Sequence, residues 1–246
     1  MDIILYNIAI GLISILIGYF FGAIPFGIII GKVFFHRDPR NEGSGNSGGT
    51  NVGRVFGKKV GFICIILDMV KCIIPMIAIW AILKFSPVKE LFFNHLGKEM
   101  FDDGVLYIYL SALGALIGHC YPVYVGFRGG KAVSTYAGFG IATSWGIVVL
   151  GIITFFTTLK KTKYVSLSSI MLAIFSTIFS WLLFGLNFII PEAYRNIVMW
   201  GNGNYMIFGW EYAVVVTVGA ILLIVRHTPN IKRLLKGTES KIKWMK

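Results

Sequence analysis

Six long apolar runs, at residues 3–35, 60–83, 105–118, 132–159, 168–190 and 208–225, decide what this chain can fold into. Crossing the hydrocarbon of a bilayer takes about 20 apolar residues in a helix. In lipid every backbone N–H and C=O must find its partner inside the segment. The runs therefore predict membrane-spanning helices, and residues 1–246 read as one integral membrane domain of the all-α class. The third run reaches spanning length only through Gly118 and His119. Charged residues make up 14% of the chain, against about 25% in soluble domains. The net charge of +12 does not signal nucleic acid, because the basic residues sit in short loops between apolar runs. The expected partner is the lipid bilayer. Cys64, Cys72 and Cys120 lie in or beside apolar runs without CxxC spacing, which argues against a disulfide framework or zinc site. No cofactor or metal is expected, since no ligand cluster is visible. Asp2 and the length of the first run argue against a cleaved signal peptide.

Lysine and arginine placement orients the spans. Arg37, Arg40, Arg54, Lys58 and Lys59 follow the first run, Arg128 and Lys131 precede the fourth, and Lys160, Lys161 and Lys163 follow it. The tail is basic from Arg226 to Lys246, whereas residues 84–104 and 191–207 hold few or balanced charges. Simple alternation over six runs would put Lys160 and Lys131 on opposite sides. The 132–159 run carries Gly138, Gly140, Thr143, Ser144 and Gly146 near its middle. It is therefore expected to be a short hairpin of two helices. That gives seven spans, an outer N-terminus, a cytoplasmic C-terminus, and glycine-rich loops on the cytoplasmic face. One long tilted helix is the alternative.

The segment from Asn41 to Asn51 carries four glycines between positions 43 and 49, followed by Arg54. Gly43, Gly45 and Gly48 free the backbone to curl so that several N–H groups can face one anion. Ser44, Asn46, Thr50 and Asn51 add neutral donors, and a guanidinium such as Arg54 clamps phosphate through two parallel hydrogen bonds. A flexible linker is the plainer reading, but it leaves the asparagines and Arg54 without a purpose. The G-x-G-x-x-G match, with Asp68 twenty residues on, lacks the flanking strand of a dinucleotide site.

A second loop, Gly118 to Lys131, contains Pro122 and the Gly129-Gly130 pair. Lys131 should stand near the N-terminus of the next helix, where N–H groups and the helix dipole favour an anion. Its plainer reading is a positive anchor. His119 reads as a helix-end hydrogen-bonding group. In Lys163 to Ser169, Ser166 suits a helix cap and Ser169 is the better candidate for a polar pocket. The tail reads either as an amphipathic segment on anionic lipid or as part of a site through His227 and Asn230. Asp68 and Lys71, three apart in the second run, should neutralise each other, although charges inside a membrane are also candidate sites.

In their order along the chain, Gly22-Ala23-Ile24-Pro25-Phe26-Gly27, Gly43-Ser44-Gly45-Asn46, Thr50 to Arg54, Gly57-Lys58-Lys59, Asp68 and Lys71, Gly118-His119, Gly126 to Lys131, Val165 to Ser169, and His227 with Asn230 to Gly237 and Glu239 resemble the PlsY-type acyl-phosphate:glycerol-3-phosphate acyltransferases of bacteria. The resemblance implies a seven-span plasma-membrane enzyme with a cytoplasmic site. Its reaction would move a fatty acyl group from acyl phosphate to the sn-1 hydroxyl of glycerol 3-phosphate. Ser44, Arg54, Lys131, His227 and Asn230 would be catalytic. Gly43, Gly45, Asn46, Gly48, Thr50, Asn51, Gly129, Gly130, Ser166, Ser169 and Glu239 would bind substrate. An upstream enzyme forming acyl phosphate would be a partner. Ala23 stands where the family usually has Ser, Gly49 where it has Ala, and Cys72 and Ala132 where it has Gly. Thr228-Pro229 replaces Arg-Glu.

A general base is not evident: the residues five after the four histidines are Asn41, Met100, Tyr124 and Lys232, so no His-x-x-x-x-Asp motif occurs. An anion or phosphate transporter could use the same loops, but such proteins often carry internal repeats, and none is visible. A lipid-binding scaffold would tolerate loss of Arg54 and Lys131.

Overall fold

Glycines set the first packing event. In the computed structural model, which describes residues 3–86, 104–203 and 209–242, α1 (Ile3–Gly22) lies along α5 (Val105–Cys120). Gly18 and Gly22 of α1 face the backbone of Ser111 and Ala115, and Gly114 and Gly118 of α5 face that of Ile15 and Tyr19. A Cβ at any of these four would collide with the opposing main chain. Two rows of small residues four apart let helix backbones meet closely, the usual way that helices associate in lipid. The Tyr19 hydroxyl closes the seam by donating to the Tyr121 carbonyl at 2.8 Å.

The first apolar run is not one helix. It ends at Gly22 and restarts as α2 (Phe26–Phe35), because Pro25 has no N–H to give and disfavours helix in the residue before it. After a 3-10 turn at Pro39–Asn41 come α3 (Gly49–Phe56) and α4 (Lys58–Phe85). α3 rests on the start of α4, with Gly53 and Gly61 leaving room for backbone contact. The 132–159 run breaks at Ser144 into α6 (Val133–Thr143) and α7 (Trp145–Thr162). Ser144 caps α7 by accepting from Ile147 N and donates to Val198 O at 2.8 Å.

α8 (Val165–Leu186) packs against α7 and α9 (Trp210–Arg226), and α10 (Thr228–Leu235) leaves α9 at a 57° bend. Five helical segments among the described residues are long and apolar enough to span a membrane, and the bent pair makes up to six. Their outward faces carry exposed Leu5, Ile8, Leu12, Phe62, Ile152 and Leu182, as surfaces immersed in lipid do. No strand occurs among the described residues. The chain divides into two compact units, Met1–Phe139 and Gly140–Lys246. Most of the charge-poor 84–104 loop, part of the 191–207 loop, and Lys243 and Lys246 lie outside the described residues.

Candidate active site

In the first unit the glycine-rich loop is built around one amide. Asn51 is 2% exposed, and its Oδ1 accepts from Ser44 N at 2.7 Å and Ser44 Oγ at 3.1 Å. Its Nδ2 donates to the carbonyls of Pro39, Glu42 and Asn46 at 2.7, 3.1 and 2.8 Å. Expected to offer its amide to an anion, Asn51 instead turns it inward and holds the loop's shape. Asn46 Oδ1 accepts from Gly48 N at 2.8 Å, which shapes the approach to α3. Gly43 and Gly45 adopt φ values of +62° and +70°, a left-handed conformation strained for other residues. Thr50 and Arg54 are exposed four residues apart, on the same face of α3.

The arginines of this region are sorted by charge. Arg37 pairs with Glu42, and Arg40 pairs with Asp38 at 2.8 Å. The Arg40 guanidinium hydrogen-bonded to Asp38 holds that carboxyl below its ordinary value. Arg40 Nη1 also donates to Val125 O at 3.2 Å, so it stitches the first loop to the second. Arg54 has no carboxylate partner among the described residues. Its cation is available to an incoming anion.

The second loop folds tightly against α5. Gly130 N donates to His119 O at 2.9 Å and Gly129 N to Cys120 O at 3.3 Å. Gly130 lies against the His119 ring, and Gly129 against His119 O and Pro122; a Cβ at either would collide. Lys131 is half-buried two residues before α6 begins.

In the second unit Glu239 gathers three groups. Its Oε1 accepts from Ser166 Oγ at 2.8 Å and Asn230 Nδ2 at 2.6 Å, and its Oε2 from Arg233 Nε at 2.7 Å. Burial raises the Glu239 carboxyl, but the donors from Asn230, Ser166 and Arg233 outweigh it and hold the group below its ordinary value. Ser166 is therefore not the helix cap expected of it; Tyr164 occupies the cap position without a side-chain bond. Ser169 Oγ bonds back to Val165 O at 2.9 Å. His227 is buried at the bend, with Nδ1 2.8 Å from Leu223 O. A carbonyl only accepts, so Nδ1 carries the proton and, in the neutral ring, Nε2 holds the lone pair.

A family model described as glycerol-3-phosphate acyltransferase matches residues 12–237. The chain belongs to that family. Glycerol-3-phosphate acyltransferases of Staphylococcus carnosus and Staphylococcus haemolyticus are 37% and 38% identical to it, over 95% of this chain and 98% of theirs. Its fold is similar to two crystal structures of PlsY, described as an integral membrane glycerol 3-phosphate acyltransferase. The glycerol 3-phosphate form matches with a TM-score of 0.71 at 29% identity, covering 95% of this chain and 96% of that one. The lysophosphatidic acid form matches at 0.69 and 27%, covering 95% of each. This membership bears out the resemblance read from the ordered motifs, makes the chain an integral membrane protein, and does not favour transport.

Two departures from the family pattern now have structural meaning. Ala132 sits at φ +61° and is fully buried, a conformation that favours the glycine usual there. Pro229 falls in the first turn of α10, where a missing N–H costs nothing, so Asn230 keeps its helical position.

Proposed function

We propose that this protein transfers a fatty acyl group from acyl phosphate to the sn-1 hydroxyl of glycerol 3-phosphate. Lysophosphatidic acid and phosphate are the products, in the first acylation of phospholipid synthesis. The single observation that carries this reading is Arg54: an exposed guanidinium without a carboxylate partner among the described residues, beside a glycine loop centred on the neutral amide of Asn51. Family membership supplies the substrate class. The proposed setting is the plasma membrane of a bacterium, with seven spans, an outer N-terminus, and the site and C-terminus in the cytoplasm. Acyl phosphate would come from an upstream enzyme that forms it.

The chemistry needs little covalent help. The glycerol hydroxyl oxygen attacks the acyl carbonyl carbon, an ester C–O bond forms, the C–O bond to phosphate breaks, and the hydroxyl proton passes to a phosphate oxygen. Positioning alone is worth up to about 7–11 kcal/mol in ideal cases. Arg54, Lys131, Thr50 and the remaining N–H groups of the 43–49 loop would hold phosphate and the developing oxyanion, while the 129–130 turn, whose N–H groups bond the His119 and Cys120 carbonyls, would set the place of Lys131. Ser44 would stand at the rim of the first loop, its hydroxyl oxygen still able to accept. His227, Asn230 and Ser169 would orient the acceptor, with Glu239 holding Asn230 and Ser166 in place. In this scheme a substrate phosphate oxygen takes the proton and His227 only orients.

Purified protein given glycerol 3-phosphate with acyl phosphate, acyl-CoA or acyl carrier protein tests the donor. Lysophosphatidic acid should form from acyl phosphate alone. Equal rates from a thioester donor would overturn the donor assignment. His227→Gln should keep the pH profile of the unaltered protein; loss of its basic limb would make His227 the base.

A further inference from the structure

Asp68, Lys71 and His119 form a buried charged cluster that none of the steps above uses. Asp68 Oδ1 lies 2.8 Å from Lys71 Nζ and 3.5 Å from His119 Nδ1, and all three residues are at most 7% exposed. Cys64 Sγ reaches Asp68 Oδ2 at 3.8 Å. The cluster lines a small pocket with Gly22 to Gly27, Ser47 and Pro122, with room for about one water molecule.

Mutual neutralisation explains a carboxylate and an ammonium three apart on one helix. It does not explain where their remaining contacts go. Lys71 Nζ donates to Ile24 O at 2.9 Å, in the break between α1 and α2. The helix after that break carries Gly27, which presses on the Ser47 carbonyl of the first glycine loop. On the other side, the His119 ring lies directly against Gly130, whose N–H is bonded to His119 O. One buried carboxylate thus lies between the Lys71 ammonium and the His119 ring, which sit under the backbones of the two loops proposed to bind phosphate. Leaving a buried charge unpaired is costly, so Asp68 and Lys71 hold each other in place.

We propose that Asp68 is a positioning residue for phosphate, acting through His119 on the Gly129–Lys131 turn and through Lys71 on the Ser47 loop. This rests on the acyl-transfer reading and adds to it residues that touch no substrate. The part of this positioning that falls on the phosphate of glycerol 3-phosphate acts in ground state and transition state alike, so its loss weakens binding more than turnover.

The test uses two variants of the full-length protein in detergent. Asp68→Asn with Lys71→Met removes both charges and leaves no buried ion unpaired. His119→Phe keeps a ring beneath Gly130 but cuts the tie to Asp68. Each should raise KM for glycerol 3-phosphate about 10-fold while kcat stays within about 3-fold. Wild-type KM in either variant would overturn the proposal and assign the cluster to charge neutralisation. A His119→Phe protein that no longer folds would assign it to stability, with the same result. If the unaltered protein makes no lysophosphatidic acid, the acyl-transfer reading falls first and this inference with it.

Discussion

In residues 39–51 a buried amide ties the chain together; in the second unit a carboxylate does so. Asn51 engages four backbone groups and the Ser44 hydroxyl, yet adds no charge. Glu239 engages two polar side chains and takes up the cation of Arg233. A carboxylate at position 51 would accept where carbonyls need a donor, and its charge would repel phosphate. The neutral organiser leaves Arg54 its full attraction for an anion, whereas the charged one gives the second unit rigidity at the expense of a cation. The chemistry of each hub therefore fits the proposal that the first region receives phosphate.

Removing the cation breaks the contrast most severely. Arg54→Ala should lower kcat/KM by on the order of 10²–10³ while the melting temperature stays put, because the side chain is exposed and has no carboxylate partner among the described residues. Asn51→Asp imposes the second unit's solution on the first. Carbonyls of Pro39, Glu42 and Asn46 would lose the Nδ2 donor, at about 1–3 kcal/mol, so thermal unfolding and acyl transfer should both suffer.

Glu239→Gln makes the reverse exchange and should cost about 1 kcal/mol, discounted because Arg233 is partly exposed. The sign with pH follows from the lowered carboxyl. A depressed folded value contributes stability above the unfolded value and loses it as pH falls through the folded one. The melting-temperature gap between wild type and Glu239→Gln should therefore be widest near neutrality and close below the ordinary carboxylate range. The smallest effect belongs to Ala132→Gly. Relief of the left-handed strain, about 1–2 kcal/mol, is partly offset by glycine's extra freedom in the unfolded chain. The melting temperature should rise slightly with activity retained.

Spans were legible because lipid allows few solutions: a long apolar run has to be a helix, and the glycine and hydroxyl cluster around Ser144 marked a break. Pro25 carried the signal for the other break, hidden by the unbroken apolarity on either side. The candidate site was legible as residue types but not as roles. An asparagine amide donates as readily to a phosphate as to a carbonyl, so nothing local told that Asn51 points inward. Ser166 looked like a cap because its partner, Glu239, lies 73 positions away. Arg40 was passed over as one more basic residue; only the folded loop shows it reaching Val125.

Acyl transfer itself is best tested by following both products at once. Protein in detergent, given acyl phosphate and labelled glycerol 3-phosphate, should yield lysophosphatidic acid and phosphate in equal amounts, and Arg54→Ala should slow both together by on the order of 10²–10³. Phosphate release without labelled lipid, or an undiminished initial rate in the Arg54→Ala protein, would contradict the account.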